Sequence, residues 1–437
     1  MKVTIVGTGN VGLTTGIALA HIGHDVTCLD ISKDKINILN TLKIPFVETN
    51  LEEYLKQNKD RLKFTLDESK AYKDTEIIFI TVQTPEKENG DVELKYLYSA
   101  CDKICLHLKK SVPIVIKSTV PVGTNEEIEK YMNKHLNENI QICTVSNPEF
   151  LSQGTALNDT LYASRIILGV ENDLALKKLK KLYEPLLKPP YNVPLLITDR
   201  KSAEMVKYVS NSFLALKISF INEIANLASD LGTDIEKVVE GVGLDSRIGK
   251  QFLKAGIGYG GSCFPKDMKA LLYQSNNKLK TIEAAIEVNN KQKMIFAKEI
   301  VEKFKNINNL KIAILGVTFK PNTDDISNSP AIENIEFFLK NNIDVHVFDP
   351  LGIDNIKNIF DNKIGYYNSI EECIRNKDIA IIFTELEEIK NFDISNYSKL
   401  MKTPIIYDGR NCYDLKQVSK YDVDYISIGR NRIMNRK

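Results

Sequence analysis

The chain has 437 residues, with 58 Lys and Arg against 57 Asp and Glu. That length suits two or three domains and a core large enough to need no disulfide or metal staple. The balanced charge excludes the electrostatic footprint of a duplex nucleic-acid or anionic-membrane binder, so an anionic ligand has to be held by a local site. The seven cysteines are scattered and form no Cys-x-x-Cys pair, which argues against a zinc site and suits a reducing compartment. No apolar run approaches the roughly 18 residues of a membrane span. The opening "MKVTIVG" begins a strand at once and leaves no room for a signal peptide. These features predict a soluble cytoplasmic protein with no metal.

In chain order, residues 2–6 are β-rich, as in a buried parallel strand, and "GTGNVG" and a helical stretch over 11–22 follow. "HDVTCLD", "EIIFITV", "PIVIKST", "IQICTVS" and "SRIILGV" read as further strands, most of them separated by helical patterns. The alternation implies an α/β domain with a largely parallel sheet. Proline-bearing "KPPYNVP" is a connection. Over 201–240 no strand signal appears. Met205, Val206, Val209, Phe213, Leu216, Phe220, Ile224 and Leu227 recur at helical spacing and predict a long helix with a broad buried face, whose length suits a spine between domains or a dimer interface. A second α/β pattern starts near 310: "LKIAILGVTFKP", a helix opened by Pro330, "IDVHVFDP" ending in Asp349, then "DIAIIFTEL" and "PIIYDGRN". The basic tail 429–437 is expected to fray.

Gly7-x-Gly9-x-x-Gly12 follows a strand and opens a helix, the setting in which this spacing signifies a dinucleotide site. Gly7 permits the tight turn, Gly9 lets a pyrophosphate approach, and Gly12 allows close helix–strand packing; Asn10 and Val11 complete the turn. Asp30 ends the second strand, where a carboxylate accepts from a ribose 2′-hydroxyl and repels a 2′-phosphate, so NAD is favoured over NADP. Lys35 has two readings, an adenosine contact or a solvated surface lysine. Thr84 and Thr119 follow apolar strands and are either cofactor contacts or turn formers.

The stretch "GYGGSCFPKD" presents Cys263 on a glycine turn with Lys266 and Asp267 close behind. Alone, Cys263 reads as an inert buried thiol. On this loop it becomes a candidate nucleophile, because neighbouring cations lower a thiol pKa from about 8.5. Lys207 and Asn211 stand at i and i+4 and share one helical face, which suits acid–base work or charge stabilisation, the alternative for the lysine being a snorkelling surface position. The five histidines fall in no motif-like turn, so base duty passes to lysine, carboxylate or water.

"GTGNVG", "STVPVGT", "NPEFLSQGTALNDTLYASRI", "SAEMVKYVSNSFLALKISFINE", "GYGGSCFPKD" and "GVTFKPNTDD" occur in this order, and together they resemble the UDP-glucose 6-dehydrogenase family of nucleotide-sugar dehydrogenases from Gly7 to about Arg410. The resemblance implies an NAD-binding Rossmann domain over 1–195, a central helical dimerisation region over 196–300 and a UDP-sugar-binding Rossmann-like domain over 301–437. It implies a four-electron oxidation of a primary alcohol to a carboxylate with two NAD, and a homodimer or higher oligomer. Cys263 would be the nucleophile, with Lys207, Asn211, Asp267 and Thr119 around the reacting carbon and Glu149 near the thioester step. Phe150, Leu151 and Gln153 would approach the substrate from the "NPEFLSQ" segment. Phe252, Lys254, Tyr259 and Gly260 would line the sugar-nucleotide pocket, joined by Phe319, Lys320 and Arg410. Arg247 would come from a neighbouring subunit, and Lys266 would face the cofactor.

Two positions depart from the family pattern. Gln153 stands where an acidic residue is frequent and cannot act as a base. Ser327 replaces a frequent arginine, and a weaker hold on NAD is expected. The alternatives are the same chemistry on GDP-mannose, UDP-galactose or a UDP-N-acetyl sugar, a single-step alcohol dehydrogenase, and a non-catalytic nucleotide-sugar or NAD sensor.

Overall fold

A computed structural model describes residues 1–304 and 310–436. The chain divides into two compact units: residues 1–210 with 269–274, and residues 211–268 with 275–437.

The first unit holds eight strands: β1 (Lys2–Val6), β2 (Asp25–Leu29), β3 (Leu62–Thr65), β4 (Ile77–Ile80), β5 (Pro113–Ile116), β6 (Cys143–Ser146), β7 (Ile166–Gly169) and β8 (Leu195–Thr198). Their order is β3-β2-β1-β4-β5-β6-β7-β8, parallel except at β6–β7. The central strands are apolar throughout because both faces are covered. Ile77 and Phe79 of β4 pack on one side with Val3 and Ile5 of β1, while Ile78 and Ile80 pack on the other with Ile114 and Ile116 of β5.

The second unit repeats the plan. Its strands are β9 (Lys311–Leu315), β10 (Asp344–Phe348), β11 (Gly365–Tyr367), β12 (Ile379–Ile382), β13 (Ile405–Asp408), β14 (Asp424–Ser427) and β15 (Ile433–Met434), in the order β11-β10-β9-β12-β13-β14-β15. Both sheets share the 3-2-1-4-5-6 order of a doubly wound nucleotide-binding sheet. The expected α/β architecture is therefore present twice. Strands β3, β8, β11, β14 and β15 are short and were not anticipated.

Two sequence expectations are corrected. The helix Arg200–Leu231 is as long as expected, but its apolar stripe is not buried: Met205 is 40% exposed, Val209 50%, Phe213 59%, Phe220 55% and Leu227 51%. The buried face carries Ala203, Lys207, Ala215, Ser219, Asn222 and Ala225 instead. Small and polar side chains let neighbouring backbone approach and receive its polar groups, and Tyr208 and Ile221 are buried among them, while the apolar stripe is left outside. Nor is the basic tail frayed over its described part. Residues Ile433 and Met434 pair antiparallel with β14, and the buried Arg430 donates to Ser427 Oγ, the Tyr413 carbonyl, Tyr425 and Glu236. A basic residue with these partners anchors the chain end.

Asp349, just beyond β10, shows why the second sheet does not copy the first in function. It is buried, and its carboxylate accepts from the N–H groups of Val317 at 2.7 Å, Thr318 at 3.1 Å, Leu351 at 2.9 Å and Gly352 at 2.8 Å. Its acceptor sites are used within the chain, so this acid is a structural tie rather than a ribose ligand. We predict that Asp349→Ala, which strands these donors, destabilises the protein by roughly 3 kcal/mol or more in a urea titration.

Candidate active site

The turn after β1 has the form needed by a dinucleotide. Gly7 takes φ +97°, and a Cβ on Gly12 would stand 2.0 Å from the Gly7 carbonyl oxygen, so neither position accepts a side chain without movement. A Cβ on Gly9 would meet nothing within 4 Å, so the backbone there is open to a ligand. The helix Asn10–His21 has no side-chain cap, and its first-turn N–H groups remain for phosphate oxygens. Beside it lies a cavity of about 320 Å³ lined by Gly7, Thr8, Gly9, Asp30, Ser32 and Lys35. Asp30 accepts from Thr8 N at 2.7 Å, Thr8 Oγ1 at 2.6 Å and Ser32 N at 2.9 Å. Burial alone would raise its pKa; these bonds and the charge of Lys35 outweigh that and lower it, keeping the acid ionised. The residues fit NAD. Lys35 lines this cavity, which favours the contact over the surface reading. Glu68, Tyr96 and Lys103 line it too, and nothing in their spacing marks them. Thr84 and Thr119 lie beyond the ends of β4 and β5 and do not line it.

At the ends of β5 and β6 the first unit buries a second group. Lys207 Nζ and Glu149 Oε1 pair at 2.6 Å, with side chains only 4% and 7% exposed. Glu149 Oε2 accepts from Leu151 N at 2.6 Å. Burial pushes the Glu149 pKa up, but Lys207, the Leu151 N–H and Lys117 together bring it below its ordinary value. Lys117, which sequence reasoning missed, is itself buried. The Phe150 ring lies under the Arg165 guanidinium at 3.9 Å, with Lys207 at 5.7 Å. Gln153 is half-buried in the same segment.

In the second unit Cys263 is exposed, and among the described residues it is the one cysteine in that class. It immediately precedes the helix Phe264–Gln274, and its carbonyl accepts from Asp267 N at 2.9 Å. A helix N-terminus presents backbone N–H groups and a positive partial charge to whatever side chain precedes it. Asp267 is buried, with Oδ1 accepting from Lys266 Nζ at 2.7 Å and Oδ2 from Asn211 Nδ2 at 2.6 Å. Asn211 is thereby an orienting partner of Asp267.

A cavity of about 260 Å³ in the same unit is lined by Phe252, Lys254, Tyr259, Glu385 and Arg410, among others. Phe252 holds φ +62°, a strained conformation for an aromatic residue. Glu385, unmarked in the sequence, lies 3.4 Å from Arg410 and 3.6 Å from Lys254. Arg410 also donates to the carbonyls of Phe383, Gly258 and Phe319. Gly260 is packed so closely that a Cβ would stand 2.4 Å from the Asn328 carbonyl oxygen, and Gly261 would meet the Phe319 ring. Lys320 lies 5.7 Å over the Phe319 ring. Arg247 is exposed and pairs with Asp245 at 2.6 Å, apart from this cavity.

The dinucleotide cradle of the first unit marks a dinucleotide-dependent enzyme. The comparisons specify it. Residues 1–187 match the NAD binding domain of the UDP-glucose/GDP-mannose dehydrogenase family, residues 201–291 its central domain and residues 313–415 its UDP binding domain. The chain belongs to this family of NAD-dependent oxidoreductases. It is 41% identical to UDP-glucose 6-dehydrogenase YwqF of Bacillus subtilis, over 99% of each chain. It is 42% identical to a UDP-glucose 6-dehydrogenase of Rickettsia prowazekii, over 98% of this chain and 99% of the relative. A UDP-glucose dehydrogenase from the archaeon Pyrobaculum islandicum superposes with TM-score 0.90 at 30% identity, covering 97% of this chain and 96% of that one.

The Lys207–Glu149 pair yields a stability prediction. The Glu149 pKa is held below its ordinary 4.5, so its contribution to folding is complete above that pH and is lost as pH falls through the folded value. Glu149→Leu leaves Lys207 and Lys117 buried without their carboxylate. We expect it to cost roughly 3–5 kcal/mol at neutral pH, measured by urea unfolding, and to flatten the acid dependence of stability.

Proposed function

We propose that the protein oxidises UDP-glucose to UDP-glucuronate with two NAD, through a thiohemiacetal and a thioester on Cys263. The observation that carries this reading is the placement of Cys263: exposed, at a helix N-terminus, one turn before a buried carboxylate that Lys266 and Asn211 orient. A sensor of NAD or nucleotide sugar has no use for that arrangement.

NAD, when bound, accepts the hydride of each oxidation. The chain does the rest. The Cys263 thiolate adds to the C6 aldehyde and keeps it from leaving; the resulting thiohemiacetal is oxidised to a thioester. Asp267 serves as the base that takes a proton from water as it attacks the thioester, which releases the carboxylate and returns the thiolate. One sugar nucleotide, two NAD and one water give one carboxylate product, two NADH and three protons. Lys207 steadies the negative oxygen that develops on C6, and Glu149 balances the Lys207 charge between steps. Thr119, at the end of β5, assists at the reacting carbon. Gly7, Gly9, Gly12, Asp30 and Lys35 hold NAD, aided by Thr84 and Lys266. Phe252, Lys254, Tyr259 and Arg410 hold the sugar nucleotide, with Gly260, Phe319 and Lys320 shaping its surroundings.

The parts divide as an NAD-binding domain over 1–195, a central helical region over 196–300 and a UDP-sugar-binding domain over 301–437. The family-model boundaries support this division. The exposed stripe Phe213, Phe220 and Leu227 supports a homodimer, since a second copy of the chain would cover it. Arg247, exposed and away from its own chain's cavity, would then serve the partner's site. Among the described residues no helix is long and apolar enough to cross a membrane, and a cytoplasmic enzyme is the reading we adopt.

Two NADH per UDP-glucose are expected from purified protein, and Cys263→Ser should lower turnover by roughly a thousandfold or more. One NADH per sugar, with Cys263→Ser fully active, would instead mark an alcohol dehydrogenase that releases the aldehyde. Turnover confined to GDP-mannose, UDP-galactose or a UDP-N-acetyl sugar would keep the chemistry and change the substrate.

A further inference from the structure

Lys117 lies just beyond β5 and has no part in the scheme above. It is 8% exposed. Its Nζ donates to Asn147 Oδ1 at 3.2 Å, the oxygen that also accepts from Tyr183 OH at 2.6 Å. Asn147 Nδ2 donates to the Ile167 carbonyl of β7 at 2.8 Å. Asn147 is thus tied to β5, to β7 and to the helix Asp173–Leu187, and it opens the turn that carries Glu149. An ammonium is a poor choice for holding strands together, because its burial costs more than that of an apolar side chain of equal size.

We propose that Lys117 is a positioning residue for the reaction assigned above: Asn147 holds its ammonium by the Glu149 turn, where the positive charge keeps that carboxylate ionised for Lys207. The groups that bear on Glu149 are Lys207 from the long helix, the Leu151 N–H from its own loop and Lys117 from the end of β5. Arg165 stands next to them, over the Phe150 ring. The attraction is mutual. Burial pulls the Lys117 pKa down to about 8, the Glu149 charge opposes that fall, and Lys207 adds to it. At neutral pH Lys117 therefore remains largely charged near the ionised Glu149. Loss of Lys117 removes one of the charges that keep Glu149 ionised, so its proton affinity rises and its base form is lost at higher pH than before.

The inference rests on the proposed reaction, and its test separates the two. Lys117→Met and Lys117→Gln are assayed in the full chain with UDP-glucose and NAD. In both, kcat at neutral pH is expected to change by less than about twofold, while the acidic limb of its pH profile moves up by about one unit. NAD affinity, read by fluorescence titration, should change by less than about twofold. The thermal midpoint should hold or rise, because a charge that burial disfavours has gone. An unmoved acidic limb overturns the inference, as does a loss of kcat that tracks a lowered midpoint in both variants. If the unaltered protein does not turn over UDP-glucose, the functional reading fails instead. The acid dependence of stability in Lys117→Met, read by urea unfolding, then decides: a loss that sets in about one pH unit higher than in the unaltered protein supports the inference, and an unmoved one overturns it.

Discussion

Two lysines and one glutamate are buried at the ends of β5 and β6 and on the long helix, and the lysines require the Glu149 carboxylate beside them. The requirement sets much else in the first unit. It fixes the NPEF turn, because Glu149 also accepts from Leu151 N, and it fixes the rotation of the helix that delivers Lys207. In the second unit Asp267 plays a parallel part. Buried and held by Lys266 and Asn211, it gives the residues behind Cys263 one orientation. The thiol is left exposed and the carboxylate is not, which is the division of labour that a covalent step followed by water attack requires.

The two sheets show how one topology separates into two uses. Asp30 and Asp349 occupy matching places after the second strand of each sheet, and each accepts from the turn after the first strand. Asp30 is half-buried, with an open Gly9 and a cavity beside it. Asp349 is closed in by four backbone N–H groups. The first arrangement leaves a carboxylate facing a cavity, while the second turns the matching residue into a clasp for its own chain.

Much of this was legible in the sequence, where the signal is local. The glycine spacing of the first turn, the acid at the end of β2 and the strand–helix alternation each lie within a few dozen residues, and each has one physical reading. The loop of Cys263, Lys266 and Asp267 was marked out by the same kind of local signal, although Cys263 by itself reads as a buried thiol. Glu149, Phe252, Lys254 and Arg410 entered only through resemblance, since a lone residue after a strand has no pattern of its own. Lys117 and Glu385 were missed on that ground. Their significance lies in what surrounds them, Asn147 and Glu149 for one and Arg410 and Lys254 for the other, and those partners are distant in sequence. The apolar stripe from Met205 to Leu227 was read with the right period and the wrong face. Periodicity locates a stripe, but it does not say whether the chain itself or another copy covers it.

The central claim is that sulfur at position 263 bonds to the sugar carbon between the two oxidations. The most direct measurement is peptide mass spectrometry of the Asp267→Asn protein, quenched during turnover with UDP-glucose and NAD. The account predicts a sugar-nucleotide thioester on the peptide that contains Cys263, absent when Cys263→Ser is added. An unmodified Cys263 peptide in protein that has already produced NADH would contradict it.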